Sequence, residues 1–161
     1  MNQLTLFEIN KPYKYIFDTS SFLSQKDNEP HRRHLFKNLW GEIDELIRQG
    51  CIVTCSEVKE EIKDEDIIEW FQSVNCQVLD INDAVQTNVI KVVTTRPELV
   101  DFKQVKSSCD AFIIATAMEY NLTVVTEENK DSYKKIPQVC KDLGVKSIDI
   151  IGLCEEEGWL F

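Results

Sequence analysis

The chain has 161 residues, 43% of them hydrophobic and 29% charged, with 28 acidic against 18 basic side chains and a net charge of −10. That length and balance suit a folded domain with its own apolar core, and no run is long and apolar enough to span a bilayer, so disordered and membrane-spanning classes are excluded. The acidic excess counts against a broad nucleic-acid footprint, which draws on Lys and Arg, yet it also arises when carboxylates are gathered to hold cations.

A single domain over residues 1–161 is therefore expected. The first twelve residues lack the basic region and apolar run of a secretory leader, which makes the cytoplasm the expected compartment. Cys51, Cys55, Cys76, Cys109, Cys140 and Cys154 are scattered among apolar neighbours and read as reduced core residues. With no Cys-x-x-Cys pair, and with His31 and His34 short of partner ligands, zinc is not expected.

Residues 13–18 turn apolar and end on Asp18, which places a carboxylate at the C-terminal end of a buried strand. From Pro30 to Gly50, Leu35, Phe36, Leu39, Trp40, Ile43, Leu46 and Ile47 recur at spacings of three and four, predicting a helix closed by Gly50. Residues 51–54 form a short strand, Ser56 can cap a helix that carries Glu61, and a further helix covers 65–74. A strand at 78–81 and a helix at about 83–93 follow. Pro97 interrupts, and a polar stretch reaches Ser108.

The apolar run from Asp110 to Met118 is too long for a strand and reads as a buried helix, followed by a strand at 122–126 and then Glu127 and Glu128. A polar loop, a short helix from Pro137 to Leu143 closed by Gly144, a strand at 146–150 and a C-terminal turn or helix complete the chain. Strands separated by helices imply βαβ crossovers and a parallel sheet covered on both faces, with its ligand crevice beyond the strand C-termini. Asp18, Glu61, Asp110 and Glu128 are thereby expected to share one crevice, with Glu127 an alternative to Glu128.

Gathered carboxylates raise one another's pKa unless a cation relieves them, and oxygen-only donors suit Mg2+ or Mn2+. A metal-bound water of lowered pKa can attack a phosphodiester. Asp18 and Asp110 are the expected direct ligands, Glu61 and Glu128 the supports for waters or a second ion, and Thr19, Ser20 and Thr126 the hydroxyls that orient the carboxylates.

The order of these motifs resembles the PIN domains, in particular a small PIN-like group with an Asp-Thr-Ser-Ser start and a C-terminal Gly-Trp-x-Phe, the group called DUF4411. The residues in question are 15–21, Leu39 with Trp40, 57–62, 110–115, 124–128, 135–140 and 158–161. The resemblance implies a three-layer α/β/α sandwich around a mostly parallel sheet and a metal-dependent endoribonuclease cutting single-stranded RNA, often as the toxin of a toxin–antitoxin pair. It implies catalytic and metal-binding roles for Asp18, Glu61, Asp110 and Glu128. The pattern departs at the fourth acid, where many PIN domains have aspartate and this chain has Glu127 and Glu128.

Each acid also has a plainer reading: a helix cap for Asp18, a solvated face for Glu61, a helix-dipole contact for Asp110 and a polar turn for 127–128. Residues 31–34 with Lys103, Lys106, Lys130, Lys134 and Lys135 form a candidate RNA path, against the reading that they are solubility residues. Trp40, Trp70 and Trp159 read as packing residues rather than base-stacking ones. A dehalogenase-like phosphatase is disfavoured by Ser20, where it needs a second Asp, and a receiver domain by its missing early acidic pair. A PIN-like module that binds RNA or a protein without cutting is the remaining alternative, with an antitoxin masking the acids or a homodimer on the 35–47 helix as possible partners.

Overall fold

The computed structural model describes residues 13–96, 108–132 and 135–161. The polar stretch expected before Ser108, with Lys103 and Lys106, lies outside the described residues, as does Lys134.

Five short strands form one sheet: β1 (Tyr15–Phe17), β2 (Ile52–Cys55), β3 (Gln77–Leu79), β4 (Thr123–Val125) and β5 (Ser147–Ile148). Their order is β3-β2-β1-β4-β5, and every pairing is parallel, with Ile16 opposite Val53 on one side and Val124 on the other. The strand path runs outward from β1 to β3, then returns to the other side of β1 for β4 and β5. Right-handed crossovers on a path that reverses direction put the connecting helices on opposite faces, which makes the expected α/β/α sandwich.

On one face lie α1 (Thr19–Leu23), α2 (Lys37–Arg48), α3 (Ser56–Glu61) and α4 (Glu65–Ser73). Leu39, Trp40, Ile43 and Ile47 give α2 one buried stripe, and Gly50, at φ 80°, supplies the left-handed residue that ends it. Aromatic edges lock this layer: Phe22 meets Trp70 at 5.7 Å and Phe71 at 5.6 Å, and Trp40 meets Trp70 at 6.1 Å. The opposite face carries α5 (Asp83–Thr95), α6 (Ser108–Tyr120) and α7 (Ile136–Leu143), and α8 (Ile150–Glu157) follows β5. Ala111, Ile113, Ile114, Ala115 and Ala117 are all buried, so α6 is apolar around its circumference, as befits a helix held between the sheet and α5.

Several elements are shorter than the sequence pattern predicts, and for two of them the hydrogen bonds show why. The helix expected from Pro30 begins only at Lys37, because the amides of His31 and Arg33 donate to the carbonyls of Ser24 and Gln25. Residues 31–33 are thereby held against the preceding turn rather than wound into the helix, and Leu35 is left 65% exposed. The strand expected over 146–150 stops at Ile148, because Asp149 caps α8 by accepting from the Gly152 amide at 2.7 Å. All six cysteines are free thiols, and Cys55, Cys76, Cys109 and Cys140 are buried.

The motif at 31–34 is largely structural. Arg33 makes a two-pronged pair with Asp44, 2.9 Å on each arm, donates to Gln25, and lies over the rings of Trp40 and Trp70. The Trp70 indole donates to the same Asp44 carboxylate. Among the described residues, no helix is long and apolar enough to cross a membrane.

Candidate functional site

The strand path reverses between β1 and β4, and at such a point the loops leaving the two strands diverge and open a crevice beyond their C-terminal ends. Asp18 leaves β1 there, and Thr126, Glu127 and Glu128 leave β4. The edge is knitted shut behind them: the Asp18 amide and the Ser21 hydroxyl both donate to the Val125 carbonyl, and the Thr54 hydroxyl donates to the Phe17 carbonyl.

Asp18 is buried, and its carboxylate is surrounded by donors. The Thr126 hydroxyl donates to Oδ2 at 2.6 Å, the Ser20 hydroxyl lies 2.8 and 2.9 Å from the two oxygens, and the Ser21 amide donates to Oδ1 at 2.9 Å. Each hydroxyl accepts in turn from a backbone amide, Ser20 from Glu127 and Thr126 from Glu128, which turns the hydroxyl protons onto the carboxylate. Burial pushes the Asp18 pKa up, and the donors from Thr126, Ser21 and Ser20 work against that rise. Asp18 is thus the cap of α1, as its plainer reading has it, and it lies at the acidic edge.

Asp110, in the first turn of α6, has its carboxyl pushed up to about 8. Burial is the largest cause, followed by the negative charges of Glu128 and Asp18; Lys135 opposes the rise, and Glu61 adds a little to it. Glu128 is raised by burial as well, and then by Asp18 and Glu61, while its Oε1 accepts from the Ile136 amide at the start of α7 at 3.1 Å. Glu61 sits exposed at the end of α3, and it also acts, after burial, to hold the Cys109 thiol protonated. Asp18, Glu61, Asp110 and Glu128 therefore share one electrostatic field.

Glu127 faces elsewhere. Its Oε2 accepts from the Ile150 amide at 2.9 Å, at the start of α8, and its Oε1 lies 3.4 Å from His31 Nδ1. That contact is within ion-pair range but makes no hydrogen bond. Thr19, expected among the orienting hydroxyls, has a buried Oγ1 without a hydrogen-bond partner. Of the expected RNA path, Lys130 is paired with Asp149 at 2.8 Å and Arg33 with Asp44, while Lys135 acts on Asp110 and Glu128.

Carboxylate oxygens are the right donors for Mg2+ or Mn2+, but their placement here does not fit an ion. Asp18 has both oxygens engaged, Glu128 caps α7, and no group of three His, Cys, Asp or Glu among the described residues is arranged to hold a metal.

The chain has the architecture of the PIN-like sandwiches. Residues 15–161 match the family described as Domain of unknown function (DUF4411), and the chain belongs to it. Three crystal structures share the fold. FitAcB from Neisseria gonorrhoeae aligns with a TM-score of 0.53 and 14% identity, over 85% of this chain and 98% of its own. DNA-bound VapBC from Salmonella typhimurium aligns with a TM-score of 0.54 and 18% identity, over 86% and 98%. PAE2754 from Pyrobaculum aerophilum aligns with a TM-score of 0.51 and 13% identity, over 90% and 96%. No curated protein matches the chain.

Sequence reasoning missed the Ser21 amide and hydroxyl, the His31–Glu127 contact and the thiols of Cys109 and Cys140 behind the acids. Helix numbering from the Asp18 cap points to the Ser21 amide, but the others are tertiary meetings with no local signal.

Proposed function

We propose that this chain acts as a single PIN-like binding domain whose acidic crevice receives a basic side chain from a protein partner, with little cleavage activity of its own. The observation that carries the reading is the state of the acids. Asp18, Glu127 and Glu128 already accept internal donors, while Asp110 is held largely protonated near neutral pH by burial and by Glu128, Asp18 and Glu61. A guanidinium or ammonium beside Asp110 would lower its pKa and gain a charge-assisted hydrogen bond. An antitoxin is the kind of partner that the PIN resemblance suggests.

The second reading is a metal-dependent endoribonuclease acting on single-stranded RNA, and it is favoured by the field that Asp18, Glu61, Asp110 and Glu128 share. Mg2+ or Mn2+ would supply positive charge and an activated water. In the present arrangement an ion would meet Asp18 with three internal donors already on its carboxylate and Glu128 with one, on Oε1.

Titrating isotopically labelled protein with arginine amide, and separately with MgCl2, distinguishes the two by NMR. The binding reading expects arginine amide to give saturable shifts at the amides of Asp110, Glu128 and Ile136, lost in Asp110→Asn, and Mg2+ to give only weak, unsaturated ones. Saturation by Mg2+ with arginine amide inert would transfer support to the nuclease.

A further inference from the structure

A second feature lies away from the acidic crevice. Between α3 and α4 runs a cleft of about 290 Å3, with Ile62, Ile68 and Phe71 as its apolar lining and Lys59, Lys63 and Glu60 beside them. Lys59 and Lys63 are exposed, and neither has an ion-pair partner among the described residues. On a chain of net charge −10, two unpaired lysines beside an apolar cleft select for an apolar segment that carries negative charge.

The chain itself presents such a segment. Residues 155–157 are three glutamates, Gly158 at φ 71° ends α8, and Trp159, Leu160 and Phe161 follow. Leu160 is 96% exposed and Phe161 67% exposed, with the Phe161 ring 6.3 Å from Trp159. The segment leaves the body at a defined place, because Glu157 accepts from the Tyr15 hydroxyl at 2.5 Å and pairs with Lys14 at 2.6 Å, at the N-terminal end of β1. The cleft instead opens beside the helix that leaves the C-terminal end of β2. Glu156 is tied to Lys146, whereas Glu155 is exposed.

We propose that residues 158–161 of one copy dock in the α3–α4 cleft of a second copy. Leu160 and Phe161 enter against Ile62, Ile68 and Phe71, and Glu155 comes to face Lys59 and Lys63. Reciprocal exchange of the two segments closes a two-fold dimer, and one-way exchange gives a chain of copies. Burying two large exposed apolar side chains drives the contact, and the lysines set which segment is accepted.

The test is fluorescence anisotropy of a labelled peptide with the sequence of residues 155–161, capped at both ends, titrated with the full chain, together with sedimentation velocity across a concentration series. Saturable peptide binding is expected. Exchanging Leu160 and Phe161 of the peptide for serine, or combining Lys59→Glu with Lys63→Glu in the protein, weakens it by about tenfold or more, and raised salt weakens it too. Because both lysines are exposed, the reversed variant keeps the fold, which circular dichroism checks. Sedimentation should show concentration-dependent association that is lost in the full chain carrying Leu160→Ser and Phe161→Ser. Equal binding of the serine peptide, indifference to the charge reversal, or a monomer at every concentration would overturn the proposal.

Discussion

Thr126 Oγ1 donates to Asp18 Oδ2 at 2.6 Å while accepting from the Glu128 amide at 3.1 Å, so one hydroxyl joins the acid leaving β1 to the loop leaving β4. Removing it leaves a buried carboxylate short of a donor and a backbone amide short of an acceptor. Thr126→Val should lower stability by about 1–3 kcal/mol, and Thr126→Ser should keep most of it. Urea unfolding of the two variants measures the difference.

Asp110 should make the fold less stable as pH rises. Its carboxyl is pushed up to about 8, above the unfolded value, so the folded state holds a proton that the unfolded state gives up from around pH 4. Stability contributed by that proton is fully present below the unfolded pKa, falls through the window up to about 8, and is flat above it. Asp110→Asn removes the ionisation. It should stabilise the protein by about 1–3 kcal/mol at pH 8, after allowance for solvent screening, and by almost nothing near pH 4. Thermal unfolding of both proteins across that range checks the sign.

Glu127 and Glu128 are adjacent in sequence and differ in effect. The charge of Glu128 acts on Asp110, whereas Glu127 is turned to Ile150 and His31. Glu128→Gln should lower the Asp110 pKa by about one unit, while Glu127→Gln should leave it in place. Carbon-detected NMR titration of the Asp110 carboxyl reads both. Glu127→Ala should instead loosen the start of α8 and lower stability by about 1–2 kcal/mol.

Arg33 and Asp44 fasten the irregular segment before α2 to the Trp40 and Trp70 rings. Asp44→Ala leaves the guanidinium and the Trp70 indole without their acceptor. Because Arg33 is partly exposed, the cost should be about 1–3 kcal/mol rather than that of a fully buried pair. Comparing urea midpoints for Asp44→Ala with those for an exposed control such as Asp27→Ala gives the value.

The layered fold was legible because local signals agreed with the tertiary arrangement. Period-three-and-four spacing marked α2, an unbroken apolar run marked α6, and Gly50, Gly144 and Gly158 each took the left-handed conformation that ends a helix. The failures had tertiary causes. The apolar positions at Leu35 and Phe36 fit a helical stripe, yet the bonds from the His31 and Arg33 amides to the carbonyls of Ser24 and Gln25 hold the segment before α2 against the preceding turn.

At the acidic edge, strand ends placed Asp18 and residues 127–128, and the apolar helix placed Asp110. What sequence could not give was the orientation of side chains. Glu127 and Glu128 have the same chemistry and adjacent positions, and only packing sends one to α8 and the other to α7. The same holds for the hydroxyls, where Ser20 and Thr126 reach Asp18 and Thr19 does not.

The most direct test of the crevice as a binding site rather than a cutting one is cleavage of a mixed single-stranded RNA pool at low salt, in Mg2+, Mn2+ or EDTA. Wild type is compared with Asp18→Asn and Asp110→Asn. A binding crevice gives no EDTA-sensitive cleavage by wild type above the level of the two variants. Metal-dependent cutting by wild type, abolished in both variants, would contradict it and establish the acids as a nuclease centre.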